Sequence, residues 1–166
     1  MQKLDDDFVK LIHDTIAGDD KAFRKMVDVL EDKRVWEQRD LLLEALPINN
    51  ESNSNTRTLR ALILFIDVPN RTLFQTEEAA LLIRQAADEG NPVALVNKAI
   101  FYLTLEDPVM RYEAITLLKQ AAVRQEPLAL SLGMKMFEDQ NVTTFAELIT
   151  QLDAQLDANR PSSFQP

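Results

Sequence analysis

The sequence predicts an all-α fold: a right-handed α-solenoid of about four antiparallel helix hairpins, closed by a C-terminal capping helix. Three observations predict it. Apolar residues recur at spacings of three and four almost throughout, and no run alternates as a strand would. Proline and short polar residues punctuate the chain at helix-length intervals. One pattern of alanine and proline is written twice, 35 residues apart. At 166 residues the chain has the length of one domain, expected over residues 1–158 with a disordered tail at 159–166.

The first helix carries Leu4, Phe8, Leu11, Ile12 and Ile16 on one face. Asp19 is placed to cap a second, with Ala22, Phe23, Met26, Val27 and Leu30 inward. The third runs from near Arg34 through Leu41, Leu42, Ala45 and Leu46, where Pro47 ends it. Residues 47–58 are rich in Asn and Ser and read as the one long loop. A fourth helix is expected from Thr58 to Asp67, ahead of Pro69. Thr76, followed by Glu77 and Glu78 at the positive end of the helix dipole, is expected to start the fifth, which ends at Gly90. Pro92, Pro108 and Pro127 each fit the first turn of the next three helices. The ninth spans about Thr143 to Ala158, with Phe145, Leu148, Ile149, Leu152 and Leu156 in one stripe.

The repeat is specific in its residues. Ala79, Ala86, Ala87, Pro92, Ala94 and Leu95 are matched by Ala114, Ala121, Ala122, Pro127, Ala129 and Leu130. Small residues let paired helices approach closely, and proline enforces the turn between them. Gly18 and Ala22 anticipate Gly90 and Ala94 at a spacing of 72, about two repeats.

This pattern resembles the Sel1-like family, a branch of the tetratricopeptide-like α-solenoids. Ala79, Ala86, Ala87, Gly90, Ala94 and Tyr102 match its repeat completely. Ala114, Ala121, Ala122, Ala129 and Phe137 match again, with Gln125 in place of the glycine. The resemblance covers residues 77–139 well. It departs where the family's Leu-Gly pair appears as Lys98-Ala99, where Gly133 falls one position early, and where LTLEDP replaces a glycine-rich loop. It implies that the first helix of each pair lines a concave surface that binds partners. The face so implied holds Leu81, Arg84 and Asp88, with Glu77, and 35 residues on Tyr112, Thr116 and Lys119, with Val123. The resemblance also implies a bacterial setting in signalling, envelope or host-interaction systems.

Composition narrows the function. Three dispersed glycines cannot build a phosphate-cradling loop, the absence of cysteine removes thiol chemistry and zinc ribbons, and one histidine excludes multi-histidine metal sites. No cofactor, metal site or catalytic residue is expected. The net charge is −9 and each third of the chain has more acids than bases, which disfavours nucleic acid and anionic membranes and favours a basic partner. The acidic N-terminus lacks the features of a signal peptide, and the longest apolar run, Ala61 to Ile66, is too short to span a bilayer. A cytoplasmic protein is expected, or one exported without a classical signal peptide.

Other residues have plainer uses to set against a functional one. Asp5, Asp6, Asp7, His13 and Asp14 carry the chemistry of an acid/base or metal site if they converge, but surface and helix-dipole roles are the favoured reading. Trp36 is assigned to packing rather than to an exposed anchor. Arg57, Arg60 and Arg71 form the only basic concentration and read as solvated charges rather than an anion site. Phe164 is a weak docking candidate in the tail. The expectation is a non-catalytic protein–protein interaction module, an adaptor, scaffold or effector, which binds a protein or peptide. The alternatives are an immunity-type inhibitor of a toxin and, in another class, a small all-α enzyme built on carboxylates near His13. A nucleic-acid-reading helical repeat ranks below these.

Overall fold

The computed structural model describes residues 2–66 and 72–162. Ten α-helices and one 3-10 helix occur among them, with no strand, so the fold is all-α as expected. The chain divides into two compact units, Met1–Asn91 and Pro92–Pro166. No helix among the described residues is long and apolar enough to cross a membrane.

In the first unit, α1 (Asp6–Ile16) packs against α2 (Asp20–Asp28), and both contact α5 (Ser54–Leu64). The short helices α3 (Lys33–Glu37) and α4 (Arg39–Glu44) lead into α5, which lies along α6 (Leu73–Asp88). Phe8, Met26, Val35, Leu42, Leu46, Leu59, Ile63 and Leu64 are buried in the core. Asp19 caps α2 as expected, its carboxylate accepting from the backbone N–H groups of Lys21 and Ala22.

Three features depart from the sequence reading. The third helix is two helices, because Gln38 leaves helical geometry and its side chain accepts a 2.8 Å hydrogen bond from the Asp5 N–H. The loop is shorter than 47–58, since α5 begins at Ser54. Asn53 caps it and simultaneously donates to the Thr15 and Ile16 carbonyls that end α1. One amide thereby satisfies groups at the termini of two helices. Finally, α6 begins at Leu73 rather than at Thr76. Thr72 and Gln75 form a reciprocal capping box, with the Gln75 N–H donating to Thr72 Oγ1 at 3.1 Å. α5 ends at Leu64, ahead of the expected Asp67; Asp67, Pro69 and Arg71 lie outside the described residues, as does Phe164.

In the second unit, α7 (Pro92–Leu103) and α10 (Phe145–Ala158) pack most extensively against α8 (Pro108–Val123), while α9 (Pro127–Met136) touches all three. Pro92, Pro108 and Pro127 open their helices as expected. The expected stripe on the last helix is present. Leu148 and Leu152 are fully buried, and Phe145, Ile149 and Leu156 are half-buried.

The repeat reappears in hydrogen bonding. Gly18 donates to the Thr15 carbonyl and Asp19 to that of Asp14. Gly90 and Asn91 donate in the same way to Ala87 and Ala86, and Gln125 and Glu126 to Ala122 and Ala121. These are three copies of one helix-ending turn. Its pivot residue must be left-handed, with φ of +100° at Gly18, +85° at Gly90 and +59° at Gln125. Gln125 therefore adopts, with a side chain, the geometry that glycine supplies without strain. Gln125→Gly is expected to raise the stability of the second unit by about 0.5–1 kcal/mol, read as a higher urea midpoint at unchanged slope. A lower midpoint would show that the turn is not strained.

Around the start of α1, Arg34 lies over the buried ring of Phe8 at 5.0 Å and pairs with Asp5, Asp7 and Asp32. Side-chain hydrogen bonds from Arg34, and then its backbone N–H, hold the Asp32 carboxyl below its ordinary value of 3.8. A depressed folded-state value means that this interaction stabilises the fold above the ordinary carboxylate range and is lost as pH falls through the folded value. In Arg34→Gln the Asp32 titration is expected to move upward, measured by NMR of its carboxyl carbon. An unmoved titration would mean that Arg34 does not hold the carboxylate.

Candidate functional site

The faces singled out by the repeat lie on α6 and α8. On α6, Ala79, Leu82, Ile83, Ala86 and Ala87 are buried, the small residues permitting close packing on α5. Glu77, Leu81, Arg84 and Asp88 project from the opposite stripe and are all exposed, with Leu81 at 43%. The structure extends this stripe toward the helix start. Phe74, seven residues before Leu81, is 74% exposed and its neighbour Leu73 is 75% exposed. Residues seven apart return to nearly the same helix face. Phe74 is not singled out by the sequence, because the helix is expected there to begin after it.

On α8, Asp107 caps the helix and Ala114, Ile115, Leu118, Ala121 and Ala122 are buried. The stripe equivalent to that of α6 is less open. Tyr112, Thr116 and Lys119 are half-buried, and only Val123 is exposed. Thr116 turns its hydroxyl back to the Tyr112 carbonyl at 3.0 Å, a bond within the helix. The Lys119 ammonium meets the Asp153 carboxylate of α10 at 2.6 Å. In the second unit, then, one residue of the expected face is engaged by the capping helix. A second group of exposed apolar residues, Ile100, Phe101 and Leu105, lies at the end of α7, and the sequence reading does not single it out.

The carboxylates near His13 do not converge. His13 is exposed, and its ring nitrogen Nδ1 lies 3.5 Å from Asp14 Oδ1. Asp14 also pairs with Lys10, and hydrogen bonds from Lys10 and then His13 hold its carboxyl below the ordinary range. Asp6 pairs with Lys3, while Asp5 and Asp7 reach Arg34. The five residues are thus held in separate pairings: Asp5 and Asp7 on Arg34, Asp6 on Lys3, and Asp14 between Lys10 and His13. Among the described residues no group of three or more His, Cys, Asp or Glu side chains could hold a metal ion.

Trp36 corrects the expectation of packing. It is 53% exposed, because Val35 takes the core position beside it, and its indole N–H donates to the Leu30 carbonyl at 3.2 Å. Arg57 and Arg60 are not solvated charges. Arg60 donates to Glu78 at 2.8 Å and to the Leu43 and Leu46 carbonyls around the end of α4. Arg57 donates to the Asn49 carbonyl and to Gln85. A cation that the sequence does not distinguish, Arg39, is buried and donates to Ile63 and Leu64 at the end of α5.

The candidate face on offer is thus the exposed stripe of α6, which sets Phe74 and Leu81 beside one cation, Arg84, and two carboxylates, Glu77 and Asp88. Comparison of the chain with models of known protein families, with curated proteins and with solved structures yields no match.

Proposed function

We propose that this chain is a non-catalytic helical-repeat module, related to the Sel1-like α-solenoids, that binds another protein or peptide through the exposed stripe of α6. The observation that carries this reading is the run of Phe74, Leu81 and Arg84 on one exposed stripe, with Leu73 beside it. Single exposed apolar residues are ordinary, whereas several together on a face mark an interaction surface. Aromatic residues and Arg also dominate the energetics of such surfaces. The recurring alanine pattern and the three equivalent helix-ending turns support the repeat relationship. The role is that of an adaptor, scaffold or effector, and the net charge of −9 favours a partner that is basic overall.

A photo-reactive amino acid placed at Leu81 is expected to crosslink a discrete partner in the native source. The same group at the exposed Lys25 of α2 should not. Phe74→Glu combined with Leu81→Glu should abolish capture. Retention of the same proteins by that variant would place the interaction elsewhere.

A further inference from the structure

The single tryptophan lies on α3 and takes no part in the α6 stripe. Trp36 is 53% exposed although the preceding Val35 is fully buried, and its indole N–H is committed to the Leu30 carbonyl at 3.2 Å. That bond fastens the ring beside the end of α2 and satisfies its one polar group, so Trp36 offers solvent chiefly aromatic surface. A tryptophan face is the best aromatic receptor for a cation. Two smaller rings of this chain already hold one. The Arg34 guanidinium lies 5.0 Å from the centre of Phe8, and the Lys98 ammonium 5.6 Å from that of Tyr102. Among the described residues no cation lies over Trp36.

The charge of the segment selects the sign of an occupant. From Asp28 to Asp40 the chain carries five acids against three bases, and all three bases are engaged. Arg39 is buried on the carbonyls of Ile63 and Leu64, and Lys33 pairs with Glu37. Arg34 is shared by Asp32, Asp5 and Asp7, the last two bringing further carboxylates from the start of α1. Asp28 and Glu31 are exposed and paired with no cation among the described residues. Glu31 directly follows the carbonyl that fastens the indole. A surface of this sign draws cations toward the ring and repels anions.

We infer that Trp36 is the docking point for an arginine side chain of a basic partner segment. The guanidinium lies over the indole as Arg34 lies over Phe8, while Asp28 and Glu31 supply the attraction that brings it there. Arginine is preferred to lysine because its planar, weakly hydrated head stacks on aromatic faces. This surface is separate from the α6 stripe and does not depend on the role proposed for that helix.

The probe is a tetra-arginine peptide, titrated against the full-length protein at physiological salt. Anisotropy of a fluorescein label reads its binding, and the emission of the only tryptophan reports the site with unlabelled peptide. The expected result is saturable binding that shifts the Trp36 emission and is weakened about fivefold by Trp36→Leu, which leaves every charge in place. Trp36→Tyr should recover most of that loss, and equal helical circular dichroism should show that both variants fold. Tetra-lysine should bind more weakly than tetra-arginine, and Asp28→Asn with Glu31→Gln should weaken both.

Failure to bind saturably overturns the inference. So does binding unchanged in Trp36→Leu, which would be general attraction to an acidic chain, or binding that leaves the Trp36 emission unmoved. Equal affinity for tetra-lysine would remove the guanidinium from the recognition. An emission shift on concentrating the protein alone would give the ring to a second copy of the chain. Phe74→Ser with Leu81→Ser should leave peptide binding intact, so failure here and failure of the α6 face are read separately.

Discussion

Replacement of Arg39 by methionine is expected to destabilise the first unit by about 2–4 kcal/mol. The guanidinium is 6% exposed and donates to three acceptors: the Ile63 carbonyl at 3.3 Å, the Leu64 carbonyl at 3.2 Å and Gln75 Oε1 at 3.2 Å. Those carbonyls close α5, where the helix dipole presents negative charge, so the cation satisfies acceptors and complements the dipole together. Gln75 belongs to the capping box of α6, and one buried side chain therefore joins the end of one helix to the start of the next. Asp40, the carboxylate beside Arg39, is itself exposed and contributes little to this figure. Methionine keeps much of the stem volume but leaves two carbonyls and Gln75 without their donor, and this loss outweighs the saved cost of burying a charge. The single tryptophan, Trp36, lies in the first unit and reports its unfolding in urea. A midpoint within error of the parent would show that these bonds contribute nothing net.

Substitution of Gly133 by valine is expected to cost the second unit about 2–3 kcal/mol. Gly133 is buried within α9, and a Cβ there would overlap the Leu148 Cδ1 and lie 3.0 Å from Cδ2 and 3.1 Å from Cγ. Leu148 is fully buried on α10, which packs against α8 and α9, so moving it aside disturbs that packing. Glycine inside a helix normally forfeits up to about 1 kcal/mol relative to alanine, so Gly133→Ala gains propensity against a smaller clash and should lose less than valine. Both tyrosines, Tyr102 and Tyr112, lie in the second unit, and tyrosine absorbance follows it separately from the tryptophan signal. If valine were tolerated without loss, the close approach of α9 and α10 would not constrain the fold.

The helical character of the chain and most of its punctuation are legible in the sequence. Asp19 caps its helix, Pro92, Pro108 and Pro127 open theirs, and Gly18 and Gly90 sit at left-handed turns. Gln125 carries no signal of its own; only its place 35 residues after Gly90 marks it as the third such pivot. The candidate face on α6 is legible in part. Leu81, Arg84 and Asp88 are exposed as the spacing requires, while Phe74 and Leu73 are hidden by an expected helix start that falls three residues late.

The roles of Trp36, Arg39, Arg57 and Arg60 are not legible there, and the reason is physical. A cap, a proline turn or a left-handed pivot is governed by groups within about five residues along the chain, so its signal is written beside it. A long polar side chain is different, because the carbonyl that accepts it can lie anywhere in the sequence. Arg39 reaches residues 24, 25 and 36 positions away, and Lys119 meets a carboxylate on another helix. Whether a periodic face is open or covered likewise depends on which helix packs beside it. Local chain geometry is sufficient to make these helices; the partners of their charged side chains and the exposure of their faces follow only from packing between residues distant in sequence.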